Sequence, residues 1–343
     1  MKRRLLLVHI VALLAVILSS CSAKPERAES TVFAMDTLMY LEVYGDEAQA
    51  TVAQAVERLY FLDGLLSAVN EDSEVSKINK SAGGFVDVPD EILEQLNAAQ
   101  EVSRRSGGAF DISVLPLVTL WGFGTENAHV PSDEEIEAAR RYVDYRNIEL
   151  SGSSVKLAEG MSITLGAIAK GYASQTLAEL FEGRGISSAL VSLGGNVQVV
   201  GSKPDGSKWR IALQDPVNAG ETAGVLELSD MAAVTSGGYE RYFEQEGKIY
   251  HHILDPKTGR PSESGLLSVT IVCENGMTAD ALSTALFLLG EDGAIEYWRN
   301  YGGFEALLIT DDGRMLVTEG LRGSFTQSGD AYTLEYVYGN GGA

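Results

Sequence analysis

The order of strand-like and helix-like segments is the feature that most limits the fold of this chain. From Ser187 onward, short apolar segments bounded by glycine or charged residues follow one another, and one helical pattern, MTADALSTALFLLG, interrupts them. The region before Ser187 begins with the strand-like TVFAMDTLMYLEVYG and continues with four helical patterns. They are DEAQATVAQAVERLYFLDGLLSAV, VPDEILEQLNAAQEVSRRSGG, PSDEEIEAARRYV and the later part of ITLGAIAKGYASQTLAELFEGRG. Because strands and helices do not alternate regularly, the sequence predicts a mixed α+β fold and disfavours a doubly wound parallel sheet.

The first twenty residues, MKRRLLLVHIVALLAVILSS, are predicted to be an export signal, since basic residues precede a short apolar run. The run ends at Leu18-Ser19-Ser20-Cys21, which resembles the lipobox of bacterial lipoproteins, where the cysteine is lipidated. The alternative is an uncleaved membrane anchor, for which the apolar run is near the lower length limit. We expect residues 1–20 to be a signal peptide, residues 21–30 to be the lipidated Cys21 and a polar tether, and the protein to lie outside the cytoplasm on a bacterial membrane.

Charge argues against a nucleic-acid partner, and the cysteine content argues against a disulfide within the chain. The formal net charge is −22, and removal of the basic leader makes it more negative, so a nucleic-acid partner is not expected. Once Cys21 is lipidated, Cys273 is the one remaining thiol, and it cannot form a disulfide within the chain. It lies in the strand-like SVTIVCE, which indicates a buried structural cysteine.

Four glycine-rich turns follow apolar segments: GGAFDIS, LGAIAKGYA, SLGGN and TSGGYERYF. Such turns let backbone groups approach a ligand closely, although each by itself is also typical of an ordinary tight turn. Together, with Asp111 in one and Lys170 in another, they favour a nucleotide-sized ligand. None of them fits the Walker A or the dinucleotide G-x-G-x-x-G pattern.

Two further segments carry candidate catalytic groups. Asp280 and Thr284 are four residues apart in the helical MTADALSTALF, so they share one face near its N-terminus and offer oxygen ligands of the kind Mg²⁺ accepts. The alternative is a first-turn acid that complements the helix dipole, with Thr284 bonded to its own backbone. In HHILDPKTGRP, His252 precedes a rigid Asp-Pro turn and is a candidate base, although a structural histidine is the alternative.

Seven motifs in this order resemble the ApbE family of FAD:protein FMN transferases. They are AMDTLMYLEV, GGAFDISVLPLVTLWGFG, GAIAKGYA, VSLGGNV, AVTSGGYERYF, HHILDPKTGRP and TADALSTALF. The resemblance implies a single large T-fold-like domain with a largely antiparallel sheet, over residues 31–320, followed by a C-terminal extension, residues 321–343. It also implies a Mg²⁺-dependent flavin enzyme, often a lipoprotein.

By this resemblance, the protein cleaves FAD, attaches FMN through a phosphoester to a Thr or Ser of a partner protein, and releases AMP. The implied acceptors are flavoproteins of membrane electron-transport complexes that carry a Ser/Thr-Gly-Ala-Thr-like segment. Two alternatives remain open: a Mg²⁺-dependent FAD pyrophosphatase that uses water as acceptor, and a lipoprotein that binds flavin or another solute without catalysis.

The resemblance also implies roles for individual residues. Asp280 and Thr284, with the backbone carbonyl of Ala167, would hold Mg²⁺, and Ser283 is a weaker ligand candidate. His252 would take the proton from the acceptor hydroxyl, whereas His251 is expected to face away.

The predicted FAD-binding residues are Met35, Ala109, Phe110, Asp111, Lys170 and Ile253. Among them, Phe110 would pack on a ring of FAD, Asp111 would accept hydrogen bonds from ribose or base, and Lys170 would face the pyrophosphate. The sequence departs from the family pattern at Val69, where an aromatic residue is common, and at Gly238, where a polar residue is common. These departures bear on the balance between transfer and hydrolysis.

Overall fold

A nine-stranded sheet is the centre of the fold in the computed structural model, which describes residues 25–81 and 83–340. All neighbouring strands are antiparallel except the last pair, which is parallel. In spatial order the strands are β1 (Arg27–Ala34), β2 (Thr37–Tyr44), β6 (Ser188–Leu193), β7 (Asn196–Gly201), β10 (Ala232–Gly237), β15 (Leu266–Cys273), β16 (Glu305–Thr310), β17 (Arg314–Thr318) and β19 (Thr333–Val337). The predicted α+β fold with a largely antiparallel sheet is confirmed.

The remaining strands form small sheets around this centre. Two of these sheets have three strands, and two are hairpins. They comprise β3 (Val86–Asp87), β5 (Ser154–Leu157) and β4 (Ile148–Ser151); β18 (Phe325–Gln327), β9 (Thr222–Leu228) and β8 (Trp209–Gln214); β11 (Tyr242–Gln245) with β12 (Lys248–His251); and β13 (Leu254–Asp255) with β14 (Arg260–Pro261).

Seven helices accompany the strands in the described residues. They are α1 (Ala48–Leu66), α2 (Glu74–Asn79), α3 (Asp90–Arg105), α4 (Leu115–Trp121), α5 (Asp133–Arg140), α6 (Ala169–Gly183) and α7 (Gly276–Tyr301). Helix α7 is interrupted at Gly290, where a φ of 71° breaks the helical backbone. None of these helices is both long enough and apolar enough to cross a membrane.

The alternation of side chains along the strands divides the apolar residues between the two faces of the large sheet. In β15, Val269 and Ile271 point into the core beneath α1, α6 and α7, whereas Val272 points into a second core beneath β8, β9 and β18. A third, smaller core lies at one side, where α4 and α5 pack on the chain near β13. The helical side of the sheet carries the candidate site.

The structure differs from the predicted boundaries at both ends. TVFAMDTLMYLEVYG is a hairpin instead of one strand, and its first strand begins at Arg27, within the segment predicted as tether, because Arg27 to Ser30 pair with β2. At the other end, β18 and β19 fall inside the predicted extension, and β19 completes the central sheet. The predicted signal peptide and Cys21 lie outside the described residues.

Candidate active site

Asp280 is the centre of the candidate site, because it is a buried carboxylate that joins two helices. Its Oδ2 accepts a 2.7 Å hydrogen bond from the backbone N–H of Gly171, in the first turn of α6. Burial raises the pKa of Asp280, and the charge of Lys170 partly offsets this effect. Within the described residues, no cationic nitrogen lies within 4.0 Å of its oxygens, so this buried carboxylate has no close positive partner.

Gly171 allows this contact because the two helices meet without room for a side chain. A Cβ built on Gly171 would overlap the carbonyl oxygen of Gly276 and lie 2.5 Å from Cβ of Asp280. The second glycine of GAIAKG is therefore required by the approach of α7 to α6.

Three hydroxyl groups extend the site beside Asp280. Ser236, at the end of β10, lies 2.8 Å from Oγ of Ser283 and 3.2 Å from Oγ1 of Thr284. The hydroxyl of Ser283 donates to the backbone carbonyl of Asp280 at 2.8 Å, so its proton is engaged in a hydrogen bond within α7. This arrangement leaves Thr284 as the more available ligand of the two. Ser236 was not predicted.

The donor set suits a hard divalent cation that keeps water or phosphate oxygens among its ligands. The Gly171 N–H would ordinarily donate to the carbonyl of Ala167, four residues earlier, but it donates to Asp280 instead. As a result, no described residue donates a hydrogen bond to the Ala167 carbonyl. A carboxylate, a hydroxyl and this carbonyl are oxygen ligands. Within residues 25–81 and 83–340, no group of three or more His, Cys, Asp or Glu residues is placed to hold a metal ion.

His252 is held through its backbone and its ring by one carbonyl group. Its N–H and its Nδ1 lie 3.0 and 3.1 Å from the carbonyl oxygen of Arg241. Burial lowers the pKa of His252 to about 4; the hydrogen bond to the Arg241 carbonyl acts against this effect, and the charges of Arg241 and Lys170 add to it. The ring is therefore neutral at physiological pH, and an Nδ1–H that donates to Arg241 leaves Nε2 able to accept a proton.

His251 has a different environment from His252. Its Nε2 lies 3.0 Å from the carbonyl oxygen of Ser262, and its ring packs edge-on against the buried Phe287. A Cβ built on Gly238 would lie 2.9 Å from Cδ2 of His251, so the glycine at this departure from the family pattern leaves space for that ring.

The turn after His252 is fixed by the third core. Trp121 is fully buried and donates from Nε1 to the carbonyl oxygen of Gly259, at 2.8 Å. Gly259 has a φ of 70°, and a Cβ there would lie 2.6 Å from Cγ2 of Ile136. Trp121 also packs on Phe243 and Tyr250 of the β11–β12 hairpin. The segment that carries His252 is thus anchored on both sides.

The positive charge of Lys170 influences several titratable groups of the site. Lys170 lies in the first turn of α6, and its charge acts on Asp280, His252 and Glu240. Glu240 is exposed overall, but its carboxyl group is shielded enough that desolvation raises its pKa, which Lys170 partly offsets. The structure therefore brings the predicted Lys170, Asp280 and His252 into one electrostatic environment.

The β1–β2 turn contributes Met35, which was predicted to contact FAD. Met35 and Asp36 have φ values of 47° and 57°, a type I′ arrangement usually given to Asn-Gly. The Met35 N–H donates to Oδ1 of Asp63 at 2.9 Å, which helps to hold this costly backbone. A Cβ on Gly194 of the SLGGN turn would overlap Thr37, so that turn packs closely on the hairpin tip.

The GGAFDIS segment has a more structural role than the sequence suggested. Phe110 is only 2% exposed and belongs to the main core, so its ring has no free face for FAD, which corrects the predicted stacking. Asp111 accepts hydrogen bonds from the N–H and hydroxyl of Ser113 and from the Tyr145 N–H, at 2.6 to 2.9 Å, so its oxygens are already used.

The segment nevertheless adjoins the site, because the Ile112 carbonyl accepts the Thr164 N–H just before the GAIAKG turn. Ala109 and Ile253 are buried, so side-chain contact of either with FAD remains a prediction. Val69, the other departure from the family pattern, is 86% exposed and lies after α1.

Sequence reasoning missed four residues of this site: Asp63, Trp121, Ser236 and Arg241. Ser236 and Arg241 lie in the TSGGYERYF motif and Trp121 lies in GGAFDISVLPLVTLWGFG, whereas Asp63 lies in none of the seven motifs. Asp63, Trp121 and Arg241 act through backbone contacts with residues distant in sequence.

A cavity of about 160 Å³ lies elsewhere, between α3 and α7, lined in part by Val102, Arg105, Leu282 and Tyr301. It faces a different side of α7 from Asp280 and Thr284. The chemical groups described above are therefore not in this cavity.

Comparisons with known proteins show which family the chain is similar to. A sequence model described as the ApbE family matches residues 35–308. A protein of Treponema pallidum called FAD:protein FMN transferase is 35% identical over 83% of this chain and 85% of its own length. One of Vibrio cholerae with the same name is 33% identical over 87% of this chain and 92% of its own.

Solved structures give the same result. The crystal structure of an ApbE protein from Thermotoga maritima has a TM-score of 0.81 and 34% identity, and it covers 87% of this chain and 98% of its own. The flavin transferase ApbE of Vibrio cholerae has a TM-score of 0.80 and 28% identity, covering 88% and 99%.

Proposed function

Because the chain belongs to the ApbE family, we propose that it is a Mg²⁺-dependent FAD:protein FMN transferase. It cleaves the pyrophosphate of FAD, joins FMN to a Ser or Thr hydroxyl of an acceptor protein through a phosphoester, and releases AMP. The names of its relatives and the fold shared with flavin transferases support the reaction.

The observation that carries the proposal is the buried Asp280 beside the hydroxyl of Thr284. An ionised carboxylate without a close cation is costly in a protein interior, and a bound cation offsets that cost. Asp280, Thr284 and the Ala167 carbonyl would hold Mg²⁺, and Ser283 would support them from the second turn of α7. Bound Mg²⁺ supplies positive charge to the pyrophosphate and stabilises charge that develops at phosphorus.

His252 supplies the proton acceptor. The acceptor hydroxyl oxygen attacks the phosphorus of the FMN half while its proton passes to Nε2 of His252, and the bond to the AMP phosphate breaks. The neutral ring is ready to accept a proton, and the negative charge of FAD, when bound, would raise the low pKa of His252 toward neutrality. Lys170 adds a cation for the pyrophosphate in an otherwise acidic protein.

The proposal extends to the setting of the enzyme. The leader and Cys21 support export and lipid anchoring to a bacterial membrane, and this location suits acceptors in membrane electron-transport complexes. A Ser/Thr-Gly-Ala-Thr-like segment would be the modified site of such an acceptor.

Replacement of Asp280 by Asn tests the assignment of the metal ligand. The amide keeps the size of the carboxylate and can still accept from the Gly171 N–H, but it removes the buried charge. We expect Mg²⁺-dependent release of FMN and AMP to be lost while thermal stability rises, since the pKa of Asp280 is raised and its charged form is unfavourable in the fold.

Asp215→Asn is the matched control. Asp215 is also buried, but hydrogen bonds from Val217, Asn218 and Tyr332 outweigh its desolvation and lower its pKa. This variant should lose stability and keep its turnover. Unchanged turnover in Asp280→Asn would contradict the metal site. Hydrolysis of FAD without transfer by the wild type would identify a pyrophosphatase.

A further inference from the structure

Two hairpins that Arg241 links to His252 carry exposed apolar side chains, and we propose that these side chains form the docking surface for the folded acceptor protein. The surface, called the hairpin patch here, consists of Phe33, Leu38, Tyr242 and Ile249. This inference rests on the proposed function, because it concerns how the acceptor reaches the site.

The first hairpin exposes a pair of large apolar residues near its tip. Phe33 of β1 and Leu38 of β2 face each other in the strand register, and they are 66% and 65% exposed. Their neighbours Ala34 and Met39 point to the other face and are buried. The second core does not include this pair, so the outer face of the sheet is uncovered here.

The second hairpin has two distinct faces. Phe243 and Tyr250 stack on each other and pack on Trp121, which fixes one face to the third core. Tyr242 and Ile249 belong to the opposite face, which also carries His251, and they are 56% and 60% exposed. His251 on this face packs on Phe287, whereas Tyr242 and Ile249 are left exposed beside it.

Arg241 joins the two hairpins to the catalytic group. Its Nη2 donates to the carbonyl of Asp36 at the tip of the first hairpin, at 3.3 Å. Its own carbonyl holds both the backbone and the ring of His252, and Tyr242 is the next residue. One residue thus links the tip of the first hairpin and the start of the second to the base that must meet the acceptor hydroxyl.

The position of the patch favours a protein over a lipid surface. Residues 1–24 join the described chain at Pro25, beside the start of β1, whereas Phe33 is six residues further along that strand. At about 3.3 Å per residue, the patch lies roughly 20 Å from the end where a lipid anchor would attach. Aromatic residues such as Phe33 and Tyr242, with Arg241 adjacent, are also typical of protein interfaces.

The test compares a folded acceptor with a short peptide that carries the same Ser/Thr-Gly-Ala-Thr segment. Two double variants of the full chain, F33S/L38S and Y242S/I249S, change one hairpin each. The control F85S/V217S replaces two residues of similar exposure, 53% and 66%, outside the patch. We expect each hairpin variant to raise KM for the folded acceptor at least tenfold, with the kinetics of peptide modification unchanged.

Several results would overturn the inference. An unchanged KM for the folded acceptor in either hairpin variant would show that the patch is not one docking surface. Equal losses with acceptor and peptide would place these residues in the FAD or peptide site. Weaker binding of the variants to phosphatidylglycerol vesicles, with KM for the acceptor unchanged, would show a lipid surface instead. If the wild type modified neither substrate, the proposed function itself would fail.

Discussion

Replacement of Gly171 by Ala should disable the site by separating two helices. The added methyl group would overlap the Gly276 carbonyl oxygen and lie 2.5 Å from Cβ of Asp280, whereas ordinary contact begins near 3.4 Å. The surrounding atoms are backbone and the first atom of a side chain, which cannot turn away. Helix α6 must therefore move about 1 Å from α7.

The expected losses of stability and of activity in Gly171→Ala follow from this displacement. Overpacking of a tight contact typically costs about 1–3 kcal/mol of stability, against which alanine returns up to about 1 kcal/mol of helix propensity. The same movement lengthens the 2.7 Å bond between the Gly171 N–H and Asp280. Because a misplacement of about 1 Å can reduce catalysis about 100-fold, activity should fall far more than stability.

The assay measures FMN transfer and thermal unfolding of the variant beside Gly183→Ala in the same helix. A Cβ on Gly183 has no atom within 4 Å and its φ is not positive, so this control should keep full activity and gain a little stability. Equal behaviour of the two variants would refute the reasoning, since it would show that the contact between α6 and α7 does not position Asp280.

Three further predictions concern the surroundings of the site. Trp121→Phe leaves the buried Gly259 carbonyl without its donor, so we expect a loss of about 1–3 kcal/mol by denaturant unfolding and a lower kcat with FAD affinity retained. Ser236→Ala removes the hydroxyl that contacts Thr284, so titration of activity should show a higher Mg²⁺ requirement without loss of the fold. His252 has a pKa of about 4 in the folded protein and 6.5 as a free group, so the unfolded state binds more protons between these pH values. Stability should therefore fall as the pH drops from 6.5 to 4. We expect His252→Gln to weaken this pH dependence, as measured by thermal unfolding.

The sequence predicted the parts of this molecule that depend on local patterns. The helical spacing in MTADALSTALF predicted that Asp280 and Thr284 share one face, and in the structure both lie in α7, with Thr284 in contact with Ser236. The strand patterns after Ser187 correspond to β6 to β10 and β15 to β17, and the helical pattern PSDEEIEAARRYV corresponds to α5.

Other features depend on contacts that local patterns do not contain. The hairpin turn at Met35-Asp36 lacks the usual glycine, so β1 and β2 read as one strand. Phe110 was assigned to FAD because of its motif, but the burial of its ring depends on residues from distant helices and strands. The anchoring of Gly259 by Trp121 spans 138 residues and has no local signature.

The intact mass of an acceptor protein tests the central claim most directly. The full chain is incubated with FAD, Mg²⁺ and an acceptor that carries a Ser/Thr-Gly-Ala-Thr segment, and Asp280→Asn serves as the parallel sample. The account predicts that the wild type adds the mass of FMN minus water and releases an equal amount of AMP, while the variant does neither. An acceptor of unchanged mass, with or without breakdown of FAD, would contradict it.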